Sequence, residues 1–155
     1  MVIGLGVSGA CAVGALIAAV GVIAMAVPGR PEPWAVHLAR RAATLCAAAA
    51  ASLYCLGFFA VLESDLQVDD GAAATPAPAC RDGFDTATTE GLTHHRTAYL
   101  PLRFDCVRAD GSVYSSDPSY AWLNGGTLAL ALCAAVLALT ARHLTRTRAR
   151  RAASA

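Results

Sequence analysis

Apolar residues in this chain are concentrated in three long runs, and polar segments separate the runs from one another. The first run, Val2 to Val27, has no charged residue and as a helix would be roughly 39 Å long, more than the ~30 Å hydrocarbon core of a bilayer requires. The second run, 42–62, and the third, 122–141, are each long enough to cross once. The pattern predicts an all-α membrane protein with three transmembrane helices, at 1–28, 42–62 and 122–141.

The first run has a second interpretation, because Ala24-Met25-Ala26 has the small-x-small form of a signal-peptidase site. A cleavable signal peptide also needs a positive segment before a shorter apolar core, and no basic residue precedes Arg30. We therefore expect an uncleaved helix with its N-terminus outside.

The arginines predict the orientation, because positively charged segments are retained in the cytoplasm. They cluster in the 29–41 loop and in the 142–155 tail, which places the 63–121 loop outside and the C-terminus inside a multi-pass cytoplasmic (inner) membrane protein. Aromatic and arginine side chains at the ends of the second and third runs are the expected membrane anchors: Trp34, Arg40, Arg41, Tyr120, Trp122, Arg142 and Arg146.

Composition agrees with the membrane prediction, since 56% of the 155 residues are hydrophobic and only 15% are charged. A large water-soluble core is excluded. All twelve basic residues are arginine and alanine fills whole stretches, a bias typical of a GC-rich bacterial genome.

The outer loop, 63–121, contains ten of the eleven acidic residues and four arginines, which gives it a net charge of about −6. Its Ala- and Pro-rich part, 69–79, predicts an extended linker. From Tyr99 to Tyr114, large and polar residues alternate around Asp110-Gly111, which predicts an acidic microdomain with a β-hairpin.

Cys80 and Cys106 are the two cysteines in this outer loop, where the compartment is oxidising. A loop this small cannot bury enough apolar surface to be stable alone, so we predict a structural disulfide between them, which clips the hairpin. It would bring Tyr99, Phe104, Val113 and Tyr114 into one apolar cluster beside the ends of the helices.

Four more cysteines, Cys11, Cys46, Cys55 and Cys133, fall within the apolar runs. Counting from the run ends places Cys11, Cys55 and Cys133 at similar depth, where they could form a quinone-coupled redox site. Cysteine is also a small apolar residue that suits close helix packing, and we favour packing.

No catalytic residue, cofactor or metal site is predicted. The three runs contain no charge of the kind that marks proton relays or substrate sites. His94-His95, with Asp85, Glu90 and Asp105 in the same loop, has poor ligand spacing, because adjacent strand residues point to opposite faces.

The function that these features favour is a non-enzymatic accessory or envelope-assembly factor whose outer loop docks a partner. Its expected partners are the lipid bilayer and a membrane or envelope protein, or a second copy of the chain. The basic tail predicts lipid contact and no nucleic-acid binding. Two alternatives stay open: a membrane enzyme, thiol redox or lipid-modifying, and a holin-like pore-forming oligomer.

Overall fold

In a computed structural model, the described residues are Val20, Trp34–Asp69 and 77–154, so the predicted first span and the 70–76 part of the linker lie outside them. The described chain divides into two compact units. One is Tyr54–Gly125, which we call the microdomain. The other, residues 34–53 and 126–154, we call the helix pair.

Two long helices and a small sheet make up most of the described chain. In chain order the elements are α1 (Trp34–Asp69), a 3₁₀ turn (Pro78–Cys80), α2 (Thr86–Thr89), β1 (Leu92–Tyr99), β2 (Leu102–Arg108), β3 (Val113–Ser115) and α3 (Ser119–Ala153). Both α1 and α3 are long and apolar enough to cross a membrane, with mean hydropathies of 2.1 and 1.8 over their most apolar stretches.

Two hydroxyl groups within the apolar helices bond to their own helix backbone. Ser52 donates to the carbonyl of Ala48 at 2.9 Å, and Thr140 donates to the carbonyl of Val136 at 2.8 Å. This back-bonding satisfies a polar side chain without a partner from another helix. These polar residues are therefore compatible with helices surrounded by lipid.

The sheet is antiparallel with strand order β1-β2-β3. The β2–β3 hairpin around Asp110-Gly111 is as predicted, and Gly111 has the positive φ of 81° that such a tight turn favours. The sequence did not predict β1. The chain turns from β1 into β2 at Leu100-Pro101, which are joined by a cis peptide bond, so that Tyr99 pairs with Leu102. The predicted hairpin is thus part of a three-stranded sheet.

The core of the microdomain lies between β2 and the two helices. Its largest fully buried side chains are Phe104, Leu102, Val61, Cys80 and Cys106. Of the predicted cluster, Phe104 is central, and Tyr99 and Tyr114 pack against the core. Val113 is 56% exposed instead, because neighbouring strand residues point to opposite faces and Tyr114 points inward.

The C-terminal part of the 42–62 apolar run packs beneath the sheet. Val61 is completely buried in the microdomain core, and Phe58 packs against it. A Cβ on Gly57 would lie 2.5 Å from Leu102 Cδ1, so glycine allows β2 to approach α1 closely. The run therefore divides between the microdomain, from Tyr54, and the helix pair, up to Leu53.

Candidate functional site

The predicted disulfide is present and joins the 3₁₀ turn to β2. Cys80 and Cys106 lie 5.8 Å apart between Cα atoms, and both are almost completely buried. The Tyr114 hydroxyl donates to the Cys80 carbonyl at 2.6 Å, so strand β3 also holds this turn. The crosslink closes the loop in which α2 and β1 lie.

A side chain from α3 bonds to the backbone of β2 at Leu102, beyond the residues of β2 that pair with β3. Asn124 Oδ1 accepts from the Leu102 N–H at 3.0 Å, and Asn124 Nδ2 donates to the Leu102 carbonyl at 2.9 Å. Leu102 is completely buried, so both backbone groups depend on this amide. The sequence analysis missed Asn124, although it is the only amide in the predicted third span.

A polar cluster connects α1 to β1 within the microdomain. His95 Nε2 lies 3.5 Å from Asp65 Oδ1, and the Tyr99 hydroxyl donates to Asp65 Oδ2 at 3.3 Å. Burial, and then the negative charge of Asp65, raise the pKa of Tyr99. The His95 ring stacks on Phe104, with centroids 5.1 Å apart.

The two adjacent histidines point to different surroundings, as expected for a strand. His94 is exposed and contacts the Thr93 hydroxyl through Nδ1 at 3.1 Å, whereas His95 is half-buried. Within residues 34–69 and 77–154, no group of three or more His, Cys, Asp or Glu side chains could hold a metal ion.

Two of the loop carboxylates stabilise turns. Asp85 caps α2 by accepting from the Thr88 N–H at 3.0 Å. Hydrogen bonds from the side chain and the backbone of Thr88 lower the pKa of Asp85. Asp110 accepts from the Ser112 N–H at 2.9 Å, and hydrogen bonds with Ser112 likewise lower its pKa. Both side chains therefore have a structural role.

An arginine joins α2 to the sheet. Arg108 Nε donates to the Thr88 carbonyl at 2.9 Å, and the guanidinium lies 5.2 Å from the centroid of the Tyr114 ring. Arg108 also attracts the nearby carboxylates of Asp85 and Asp110, which contributes to lowering their pKa values. The short α2 is thus held in place by side chains of the sheet.

An open groove of about 350 Å³ lies on the microdomain surface. Its polar lining includes two carboxylates, Glu63 and Asp117, with hydroxyls from Ser64 and Ser116. Such a lining has the hydrogen-bond acceptors that a cationic side chain needs.

The helix pair has a basic cleft of about 220 Å³ lined by Val36, His37, Arg40, Thr145 and Arg148. Arg40 comes from the first predicted arginine cluster and Arg148 from the second. The fold therefore brings together one arginine from each segment that we predicted to be cytoplasmic.

The predicted membrane anchors differ in exposure. Trp122 is 85% exposed and Trp34 is 48% exposed, as a lipid-facing aromatic requires. Tyr120 is only 6% exposed and belongs to the microdomain core. The four arginines among the predicted anchors, Arg40, Arg41, Arg142 and Arg146, are all exposed.

The free cysteines that lie close together differ from the set that the sequence suggested as a redox site. Cys46 Sγ lies 3.6 Å from Cys133 Sγ in the helix pair. Cys55 belongs to the microdomain part of α1, and Cys11 lies outside the described residues. The close pair is therefore Cys46 with Cys133, and Cys46 was not part of the predicted redox set.

Comparisons with known proteins give no relative for this chain: no family model, no curated protein and no solved structure matches it.

Proposed function

We propose that this is a three-span inner-membrane protein that docks an envelope partner through its outer microdomain, as a non-enzymatic accessory or assembly factor does. The N-terminus and the microdomain lie outside, and the C-terminal tail lies in the cytoplasm. The observation that carries the docking role is the edge of β1.

The basic cleft supports this orientation. Arg40 and Arg148 line the same cleft, which supports the proposal that the basic ends of α1 and α3 lie on the same side of the membrane. Arginine-rich segments on one side are typical of the cytoplasmic face.

Packing in the microdomain also affects where the second span ends. Since α1 joins the microdomain core from Tyr54 onward, we place the outer membrane boundary nearer Tyr54 than Leu62. Residues 34–53 then form a helix of about 30 Å, which is one bilayer thickness. Arg40 and Arg41 lie within about 10 Å of its basic end, so their long side chains can reach the headgroups.

The docking surface is the outer edge of β1. This strand has eight residues, it pairs on one side with β2, and no strand in the described part of the chain covers its other side. Only at its last residue does α1 contribute a hydrogen bond, from the Tyr54 hydroxyl to the Tyr99 carbonyl at 2.9 Å. Uncovered strand edges are templates for strand addition by another chain. His94 and Arg96 are exposed on this strand, and the disulfide in the neighbouring strand keeps the sheet ordered.

Topology is tested with reporter fusions at Ala77 and Ala155. We expect an outside signal from Ala77 and an inside signal from Ala155. Replacing Arg40 and Arg41 with Glu should reduce insertion of the second span. An outside signal from Ala155 would contradict the three-span proposal.

Docking is tested by placing a photo-crosslinking amino acid at His94 or Arg96 in the full chain in its membrane. The control position is Val113, which is exposed on β3 at the opposite edge of the sheet. We expect one adduct of defined mass from the β1 positions, lost in the Cys80→Ser variant and absent at Val113. An adduct with twice the mass of the chain would identify the partner as a second copy.

Equal adducts from β1 and from Val113 would contradict docking at this edge. A ladder of oligomers from both positions would favour the pore-forming alternative.

A further inference from the structure

Two free thiols face each other within the helix pair. Cys46 Sγ on α1 and Cys133 Sγ on α3 are 3.6 Å apart, whereas a disulfide bond is about 2.05 Å long. The change of about 1.5 Å is within the range of side-chain rotation. Residues 47–51 of α1 are all alanine, so the helical turn that follows Cys46 has no large side chain.

The surroundings of this pair decide which reagents can reach it. Cys133 is exposed and Cys46 is half-buried. Leu132 and Val136, beside Cys133 on α3, are 59% and 62% exposed and are apolar. With α3 crossing the bilayer as proposed above, this apolar surface at its middle is accessible to a lipid-soluble molecule and not to an aqueous redox buffer.

Oxidation of two thiols to a disulfide releases two electrons and two protons. The oxidant must therefore be lipid-soluble and must accept both electrons and both protons. A quinone has these properties, because its two carbonyl oxygens become the two hydroxyls of a quinol.

We propose that Cys46 and Cys133 form a dithiol site that a membrane quinone oxidises to a disulfide between α1 and α3. In this step the two S–H bonds break and one S–S bond forms. The two electrons and two protons pass to the quinone, which leaves as the quinol. The helix pair then has two states, crosslinked and uncrosslinked.

This site differs from the disulfide in the microdomain. Cys80 and Cys106 are at most 1% exposed, and their bond holds β2 against the 3₁₀ turn. The exposed Cys133 leaves the second pair open to reaction. Reactive pairs are those that an oxidant can reach.

The test uses the purified full chain in liposomes after mild reduction and removal of the reductant. The probe is a short-chain ubiquinone analogue, and quinol is followed by absorbance. Remaining thiols are alkylated, and peptides are examined by mass spectrometry. We expect a Cys46–Cys133 crosslinked peptide and about one quinol per disulfide formed.

Single variants identify the reacting sulfurs. Cys46→Ser and Cys133→Ser should each abolish the crosslink and lower quinol formation to the level of empty liposomes. Cys55→Ser is the matched control, because Cys55 is a free cysteine on the same helix, and it should leave both readouts unchanged. Loss of both readouts in Cys55→Ser would overturn the assignment.

A copper–phenanthroline control separates proximity from quinone chemistry. A crosslink with copper–phenanthroline but none with the quinone would overturn the proposed oxidant. No crosslink with either reagent would overturn the site itself. Quinol formation that persists in both Cys46→Ser and Cys133→Ser would show that other groups react, and it would also refute the proposal.

Discussion

Replacing Asn124 with alanine should open the microdomain while leaving the apolar helices in the membrane. The substitution removes the amide that bonds to both backbone groups of Leu102. Leu102 is completely buried, so water cannot replace the lost hydrogen bonds without opening the core.

The magnitude follows from the two groups left unpaired. A buried donor or acceptor without a partner costs about 1–3 kcal/mol, so the Asn124→Ala variant, with two such groups, should lose about 2–6 kcal/mol of microdomain stability. Because each 1.4 kcal/mol is tenfold in an equilibrium, the open form should become at least ~30 times more populated. A domain this small has little stability in reserve.

The assay is limited trypsin digestion of sealed vesicles with the microdomain accessible. Arg96 and Arg103 lie in the strands and should be cleaved only from the open form, so their cleavage rate reports the opening equilibrium. Asn124→Ala should raise that rate at least ~30-fold. The adjacent Gly125→Ala is the control, because a Cβ there meets nothing within 4 Å.

A second substitution at the same position tests the hydrogen-bond mechanism. In Asn124→Asp, a protonated carboxyl can still accept from Leu102 N–H and donate to its carbonyl, whereas the ionised form cannot donate. The neutral form is favoured in the fold, which raises the pKa of the introduced carboxyl, so stability is present at low pH and lost as pH rises. Urea unfolding, followed by near-ultraviolet circular dichroism of buried aromatic residues such as Phe104 and Tyr120, measures this. Equal stability of Asn124→Ala, Asn124→Asp and the parent would refute the reasoning.

Three further predictions concern the same unit. Gly57→Ala should lower the free energy of unfolding by about 1–2 kcal/mol, because the new methyl would lie 2.5 Å from Leu102 Cδ1 and the helix-propensity gain of about 1 kcal/mol does not offset this strain. Gly125→Ala should raise it by about 1 kcal/mol, because a Cβ there meets nothing within 4 Å. Urea unfolding distinguishes the two variants. Cys80→Ser should lower the free energy of unfolding by about 3.5 kcal/mol, the value for a disulfide with a sequence separation of 26, and should accelerate tryptic cleavage. An unchanged cleavage rate would argue against a stabilising crosslink. The capping carboxyl of Asp85 has a lowered pKa, so its contribution to stability is present above pH ~4 and is lost as the pH falls through the lowered pKa. NMR titration of the Asp85 carboxyl should show the lowered pKa, and Asp85→Asn should remove this pH dependence of stability.

Local chemistry made part of the microdomain predictable from the sequence. Asp110-Gly111 identified the β2–β3 turn, and an outer loop with two cysteines left a single pairing for the disulfide. Strand β1 was missed because Thr93 to Thr97 is a polar run without apolar alternation. Its place in the sheet depends on pairing with β2, which is a tertiary interaction.

The thiol pair could not be found by counting depth along the apolar runs. That count took Leu62 as the end of the second span, but the run continues into residues that pack beneath β2. Cys55 was therefore assigned a depth in the bilayer, although it belongs to the microdomain part of α1, and Cys46 was left out of the predicted redox set. Tyr120 also has two possible surroundings, because an aromatic at a helix end is suited to a lipid interface and to a protein core alike, and here it lies in the microdomain core.

The microdomain depends on residues that are synthesised after its sheet. Its core includes Tyr120, and the backbone of Leu102 is satisfied by Asn124, so both contributions come from the start of α3. A nascent chain that has emerged only as far as β3 has both cysteines but lacks these contacts. The microdomain therefore completes its folding only after the first turns of α3 have left the ribosome. A secreted fragment that ends before α3 would lack the same contacts, so soluble versions need a substitute for the first turns of that helix.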